Sequence, residues 1–183
     1  VSSLTIYTLM LLNGTEFKNP EYRKKFEIEG RFRIVPLNFG EYEGEKVFDF
    51  EEVGVQTKDM SYEDYLYLRG FALLIESLNN GRVFEEFFLY SEQLGVSRTK
   101  FLKNLYDNLN LASNSIQNNF KNFLEETKGE LWGSEQELVD YYKQEKNYQL
   151  LKSGKIGGNL IYKYKALNIV FSTGEWINFI EEQ

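Results

Sequence analysis

The chain of 183 residues contains no histidine and no cysteine. These two absences remove disulfides, a thiolate nucleophile, Cys/His zinc sites, cysteine-ligated iron–sulfur clusters and a histidine base from the chemistry its own residues can offer. What is left is carboxylates, lysines, hydroxyls or a borrowed group. No apolar run approaches the roughly 20 residues of a membrane-spanning helix, and the start lacks the charged, apolar and small-residue regions of a signal peptide. Positive charge is also short: 28 acidic residues against 21 basic ones give a net charge of −7 and a pI near 4.9. A general nucleic-acid or anionic-membrane binder needs a concentrated positive field, so neither partner is expected. We read a soluble, cytoplasmic chain. It begins at Val1 with no initiator methionine, which points to a piece of something longer or a processed product.

Hydrophobic residues make up 42% and aromatics 16%, with fifteen Phe and thirteen Tyr. That content exceeds what a disordered chain carries, and the length suits one ordinary domain or a small domain with an appendage. The aromatics read as core and tyrosine rim rather than as a stacking platform for bases.

The chain divides by period near residue 60. Ile6 to Leu12 is an almost wholly apolar run stopped by Asn13-Gly14, which suits a strand buried on both faces, as in a parallel sheet. Pro20 to Phe26 holds a helical turn or two. Arg31–Leu37 and Lys46–Phe50 alternate as strands do, so a hairpin is expected there, with a further extended piece over Val53–Thr57. From Ser61 the helical period takes over. Ser61 with Glu63 and Asp64 behind it marks a helix start, and the run Tyr65 to Leu78 is apolar nearly all round, so it should lie centrally or against another domain. Shorter helices follow around Phe84–Leu94, from the cap at Ser97 through Leu109, and around Ile116–Leu124. Another opens at the Ser134/Glu137 capping box and runs to Leu151, and a last stretch carries Leu160 to Ile180. The fold class is therefore mainly α: a multi-helix bundle preceded by a short β-containing N-terminal segment. Residues 1–60 form the β-containing part and 61–183 the helical part.

Candidate sites are few. Gly154-Lys155-Ile156-Gly157-Gly158 lacks the spacing and the preceding strand of a phosphate loop, and reads as an interhelical loop. The doublets Glu51-Glu52, Glu85-Glu86, Glu125-Glu126 and Glu181-Glu182 could in principle do acid–base work, but such neighbours mostly solvate a surface. Gly14 with Thr15 reads as a turn. Arg69 stands inside the most apolar helix, where a guanidinium needs an exit to solvent, a local partner, or a carboxylate or carbonyl of the preceding strand region.

Three stretches taken together form a recognisable series. They are Tyr7-Thr8-Leu9-Met10-Leu11-Leu12-Asn13-Gly14-Thr15-Glu16-Phe17, then Arg33-Ile34-Val35-Pro36 with Phe39-Gly40-Glu41-Tyr42, then Phe50-Glu51-Glu52-Val53 and Ser61-Tyr62-Glu63-Asp64-Tyr65 through Arg69-Gly70-Phe71-Ala72. The series resembles the C-terminal portion of radical S-adenosylmethionine enzymes that also carry an N-terminal cobalamin-binding domain. The resemblance covers roughly residues 5 to 80. It implies that Ile6–Leu12 is the last strand of a catalytic partial barrel, that residues 13–60 are a β-rich connector, and that the helices form an accessory domain. Family members commonly have proline where this chain has Asn13. The resemblance implies a [4Fe–4S] cluster, S-adenosylmethionine and cobalamin in the parent enzyme, all bound by segments upstream of Val1. It implies as partners the chain's own upstream barrel and cobalamin-binding domain. Neither the three-cysteine cluster motif nor the histidine-containing cobalamin motif is present, so no catalytic, cofactor or metal residue is carried over. Gly14, Thr15 and Arg69 remain as structural or docking candidates. The alternative reading is a freestanding helical protein–protein interaction module docking through Tyr65–Leu78.

A strand cut from its sheet keeps an unpaired edge. Ile6–Leu12 should therefore pair with another chain and make a homo-oligomer, fold back on the Arg31–Thr57 region, or be disordered.

Overall fold

Alternation over residues 29–56 builds one long antiparallel hairpin. Strand β2 (Glu29–Tyr42) pairs with β3 (Glu45–Gln56) in the register Arg31↔Val53, Arg33↔Glu51 and Phe39↔Phe48. Gly44 turns the chain at φ +84, a conformation that costs glycine nothing. The separate extended piece expected at Val53–Thr57 is the continuation of β3. The computed structural model describes residues 3–182. The fold is mainly α, 58% helical, with a three-stranded antiparallel sheet near the N-terminus and nine helices among the described residues.

The N-terminal apolar run departs from expectation. Only β1 (Leu9–Met10) is strand. It pairs antiparallel with β3, Leu9 opposite Gly54 and Met10 opposite Val53, at the edge of a sheet of order β1-β3-β2. Burial along it is one-sided near its end: Leu11 is 2% exposed, while Met10 and Leu12 on the opposite face are 42% and 51% exposed. Within the chain the strand folds back on the 31–57 region, one of the three fates open to it.

The described chain forms two compact units, and neither is a single stretch of sequence. Among the described residues, one gathers 7–65 and 126–159 and the other 3–6, 66–125 and 160–182. This differs from a division at residue 60, for a reason of parity. Phe32, Ile34, Phe39, Phe48 and Phe50 share one face of the hairpin, and that face is covered by α6 (Glu135–Lys143) and α7 (Glu145–Lys152) through Leu138, Tyr142, Tyr148 and Leu151. Trp132 extends this layer, its ring 4.7 Å from that of Tyr141. Burial among these rings pushes the Tyr142 phenol up to about 12, with Tyr141 and Glu130 adding to the effect. The single helix expected from Ser134 to Leu151 is broken at Gln144, which is extended and caps α7. The Ser134 hydroxyl accepts from the Glu137 N–H at 3.2 Å, as the capping-box spacing predicts.

The other unit is helical. Its core joins Leu73, Leu74, Ile75 and Leu78 to Phe84, Phe88, Leu102, Leu105, Ile116, Phe120, Phe123, Trp176 and Phe179. Apart from Leu78 and Phe84, these come from α2 (Tyr62–Ile75), α3 (Glu85–Gln93), α4 (Arg98–Asp107), α5 (Asn114–Gly129) and α9 (Thr173–Glu181); α8 (Leu160–Phe171) adds Tyr164. The second half of α2 is buried from Ala72 to Ile75, as its composition predicts, while Tyr67 and Leu68 before it are each 38% exposed. Below it a π-helical turn over Glu76–Asn80 widens the backbone. Within the turn Ser77 accepts from Asn168 at 3.1 Å, and Asn168 in turn accepts from Asn119 at 3.1 Å. That chain of amides satisfies polar groups in the interior, where an unpaired one would cost about 1–3 kcal/mol. Ser97 takes the N-cap position of α4, but its side chain makes no capping bond.

The start of α2 carries a reciprocal cap. Ser61 Oγ accepts from the Asp64 N–H at 3.1 Å, and Asp64 accepts from the Ser61 N–H and hydroxyl, both at 2.9 Å. These bonds hold the Asp64 carboxyl below its ordinary value of 3.8. A depressed carboxylate contributes stability that is complete above the unfolded pKa and lost as pH falls through the folded one. The cap should therefore weaken only below about pH 4. Asp64→Asn should remove that acid-sensitive part, which acid titrations followed by circular dichroism on both proteins would show. Superimposable acid limbs would contradict it.

Candidate functional site

The turn singled out near the N-terminus leads into the elements that hold one buried charge, Glu52. After β1 the chain reverses over Leu12-Asn13-Gly14-Thr15. Gly14 has φ +83 and Asn13 is not left-handed, which makes this a type II turn. The Leu12 carbonyl accepts from both the Thr15 N–H at 3.2 Å and the Thr15 hydroxyl at 2.7 Å. Gly14 and Thr15 are thus the turn that the sequence implies, and they lead into a 3₁₀ turn over Glu16–Lys18 and then α1 (Pro20–Phe26). Asn19 caps α1, accepting from the Glu21 and Tyr22 N–H groups at 2.8 and 3.3 Å. Proline is favoured at the second position of a type II turn. Asn13→Pro should therefore stabilise the protein by about 0.4–1 kcal/mol, by restricting the unfolded chain. Gly14→Ala should cost about 1–2 kcal/mol for its left-handed backbone, because space for the methyl is open. Thermal midpoints of the two variants moving the same way would refute the turn assignment.

The turn and α1 place two cations on Glu52. Lys18 Nζ lies 2.5 Å from Glu52 Oε2 and Arg23 Nη1 lies 2.8 Å from Oε1, while the Glu52 side chain is 5% exposed and each cation 28%. Lys18 also stands 5.8 Å from the Phe32 ring centre. This corrects the expectation that Glu51-Glu52 only solvates a surface. In a strand, successive side chains take opposite faces. Glu52 therefore shares the buried face with Leu11, directly across the ladder, where the Leu11 N–H donates to the Glu52 carbonyl at 2.9 Å. Gly30 makes the room: a methyl at that position would overlap the Glu52 carboxylate, coming within 2.8 Å of Cδ.

Glu51 turns the other way. It pairs with Arg33 at 2.6 Å, and Arg33 reaches Glu130 at 3.4 Å. Burial works to lower the Arg33 pKa, but Glu130 and Glu51 outweigh it and hold the guanidinium charged.

Arg69 lies over the Phe123 ring, 5.5 Å from its centre, a cation–π arrangement inside its own unit. It belongs to a different compact unit from Gly14 and Thr15. Two residues before it on the same helix, Tyr67 donates to Asp107 Oδ1 at 2.7 Å, and Asp107 is ion-paired with Lys103. Burial and the bond to Asp107 push the Tyr67 phenol up, so it stays protonated at neutral pH and acts as a hydrogen-bond donor. No sequence pattern announced this trio, because α2 and α4 are far apart along the chain.

No family model matches the chain, and no curated protein is found similar to it.

Chemically, the Glu52 cluster is a clamp. A carboxylate held by a lysine and an arginine is already neutralised, and its position fastens the turn and α1 to the sheet. Among the described residues no three His, Cys, Asp or Glu side chains gather as a metal-binding group, and no helix is long and apolar enough to cross a membrane. The chain has no cysteine, so the cluster that the resemblance implies would have to be held by residues outside it. The hairpin carries a shallow groove of about 310 Å³ lined by Leu37, Tyr42, Val47 and Asp49 among others, near the small end of ligand sites.

Proposed function

We propose that this chain is the C-terminal region of a cobalamin-binding radical S-adenosylmethionine enzyme, and that it encloses the catalytic barrel without supplying catalytic groups. The observation that carries this reading is the order of elements. A short apolar strand closed by the Gly14–Thr15 turn is followed by a hairpin and then by helices, the order the resemblance implies. In such a parent, cluster-bound S-adenosylmethionine would supply a 5′-deoxyadenosyl radical, and the role of this region is to keep water from the reacting centre.

The reading frame upstream of residue 1 should then encode Cys-x-x-x-Cys-x-x-Cys, and a frame without it overturns the proposal. The 183-residue chain itself, reconstituted with iron, sulfide and S-adenosylmethionine, should show no cluster absorbance and release no 5′-deoxyadenosine. Release of that product would equally overturn it.

A freestanding helical interaction module is the second reading. It is favoured by apolar side chains left exposed on α8 and α9, where Tyr162, Val170, Phe171 and Ile177 are 66%, 67%, 75% and 43% exposed. The helix first considered for docking is buried over Ala72–Ile75 and exposes Tyr67 and Leu68. A start codon at residue 1 would favour this reading over the first.

A further inference from the structure

The sheet has two edges, and they are finished differently. Along β2, Phe32 and Trp132 exchange two backbone hydrogen bonds of 2.9 and 2.8 Å. The register with β3 breaks between Ile34 and Phe39, and Leu37 there is left-handed at φ +65. Pro36 lies in that break, and Glu29, Arg31, Arg33 and Glu41 put charge along the strand. Coverage, irregularity, proline and charge are the means by which sheet edges are kept from pairing.

The β1 edge has none of them. No charged side chain precedes Glu16, and no proline precedes Pro20. Leu9 lies opposite Gly54, and the Leu11 N–H donates to the Glu52 carbonyl, so Leu9 and Leu11 turn their backbone groups toward β3. By the alternation of an antiparallel ladder, Met10 turns its N–H and C=O away from β3, as does Thr8 one period earlier. Among the described residues these groups meet no hydrogen-bond partner. The edge ends at Leu12, whose carbonyl is taken by Thr15.

We propose that β1 pairs with β1 of a second copy of this chain, antiparallel across a two-fold axis at Leu9. Thr8 of each copy then faces Met10 of the other, and four backbone hydrogen bonds use the free groups at Thr8 and Met10 and no others. The result is a six-stranded sheet in which β1 is no longer an edge. A second copy fits because the edge is neutral and matches itself under a two-fold, so pairing brings no like charges together although the chain carries −7. The contact is small, which places the dimer in the weak, concentration-dependent class. This inference does not depend on the enzyme family proposed above.

Sedimentation of the full chain from about 5 to about 500 µM tests it, a range chosen for a weak interface. The average mass should rise from 21.6 kDa toward twice that value, and amide exchange at Thr8 and Met10 should slow as it does. Met10→Pro removes only an outward N–H, and Thr8→Lys places a charge on the edge. Both should keep the circular dichroism of the parent and weaken association at least tenfold. A chain that stays monomeric throughout, or a dimer that Thr8→Lys leaves intact, overturns the proposal. So does a longer chain, extended upstream of residue 1, that is monomeric with the Thr8 and Met10 amides protected, since its own upstream strand would then occupy the edge.

Discussion

Glu52→Gln is expected to lower stability by about 3 kcal/mol, the low end for breaking a buried ion pair. The change keeps the shape of the side chain and removes its charge, leaving Lys18 and Arg23 without the anion they both contact. The low end applies because each cation is 28% exposed and can turn partly to water. For a chain of this length that loss corresponds to a midpoint lower by roughly 6–12 °C. Lys18→Met should cost less, since Arg23 still holds the carboxylate. Gly30→Ala attacks the same clamp from the other side by pushing the carboxylate off its seat. The double variant Glu52→Gln/Gly30→Ala should therefore be less destabilised than the sum of the two single changes. Full additivity would show that the glycine and the clamp are unrelated. Trp132 belongs to the same compact unit as Glu52, so a Trp176→Phe background lets fluorescence follow that unit alone.

Trp176→Ala should destabilise the helical unit by about 3–5 kcal/mol. Trp176 is fully buried, with Phe120 and Phe179 at 6.1 and 6.0 Å between ring centres, and truncation leaves a cavity that those rings cannot close. Trp176→Phe should cost far less than this. It keeps an aromatic ring and removes an indole N–H that finds no acceptor among the described residues, a group whose burial carries a penalty of about 1–3 kcal/mol. Urea unfolding of both variants separates the two effects. A phenylalanine variant as unstable as the alanine one would mean that shape alone governs the site.

The helices were legible because each rests on a local pattern. Ser61 with Asp64, Ser134 with Glu137, and the turn glycine Gly14 act over four or five residues, and they lie at helix starts and turns in the structure. The hairpin was legible for the same reason, since alternation and Gly44 are local. Glu52 was not. Its burial follows from sharing a strand face with Leu11, and from Lys18 and Arg23 arriving on a segment some thirty residues earlier. The break at Gln144 was also hidden, because the apolar period runs across it unchanged.

The amino-acid sequence by itself determined the fold class, most element starts, the turn at Gly14–Thr15, and the absence of histidine and cysteine chemistry from this chain. Tertiary structure decided three further things: that α6 and α7 cover the hairpin, that Glu52 is a buried clamp, and that the N-terminal strand keeps one bare edge. Periodicity states which face of an element is apolar, but which partner covers that face depends on contacts between residues distant in sequence. The two missing residue types describe what the chain cannot do alone.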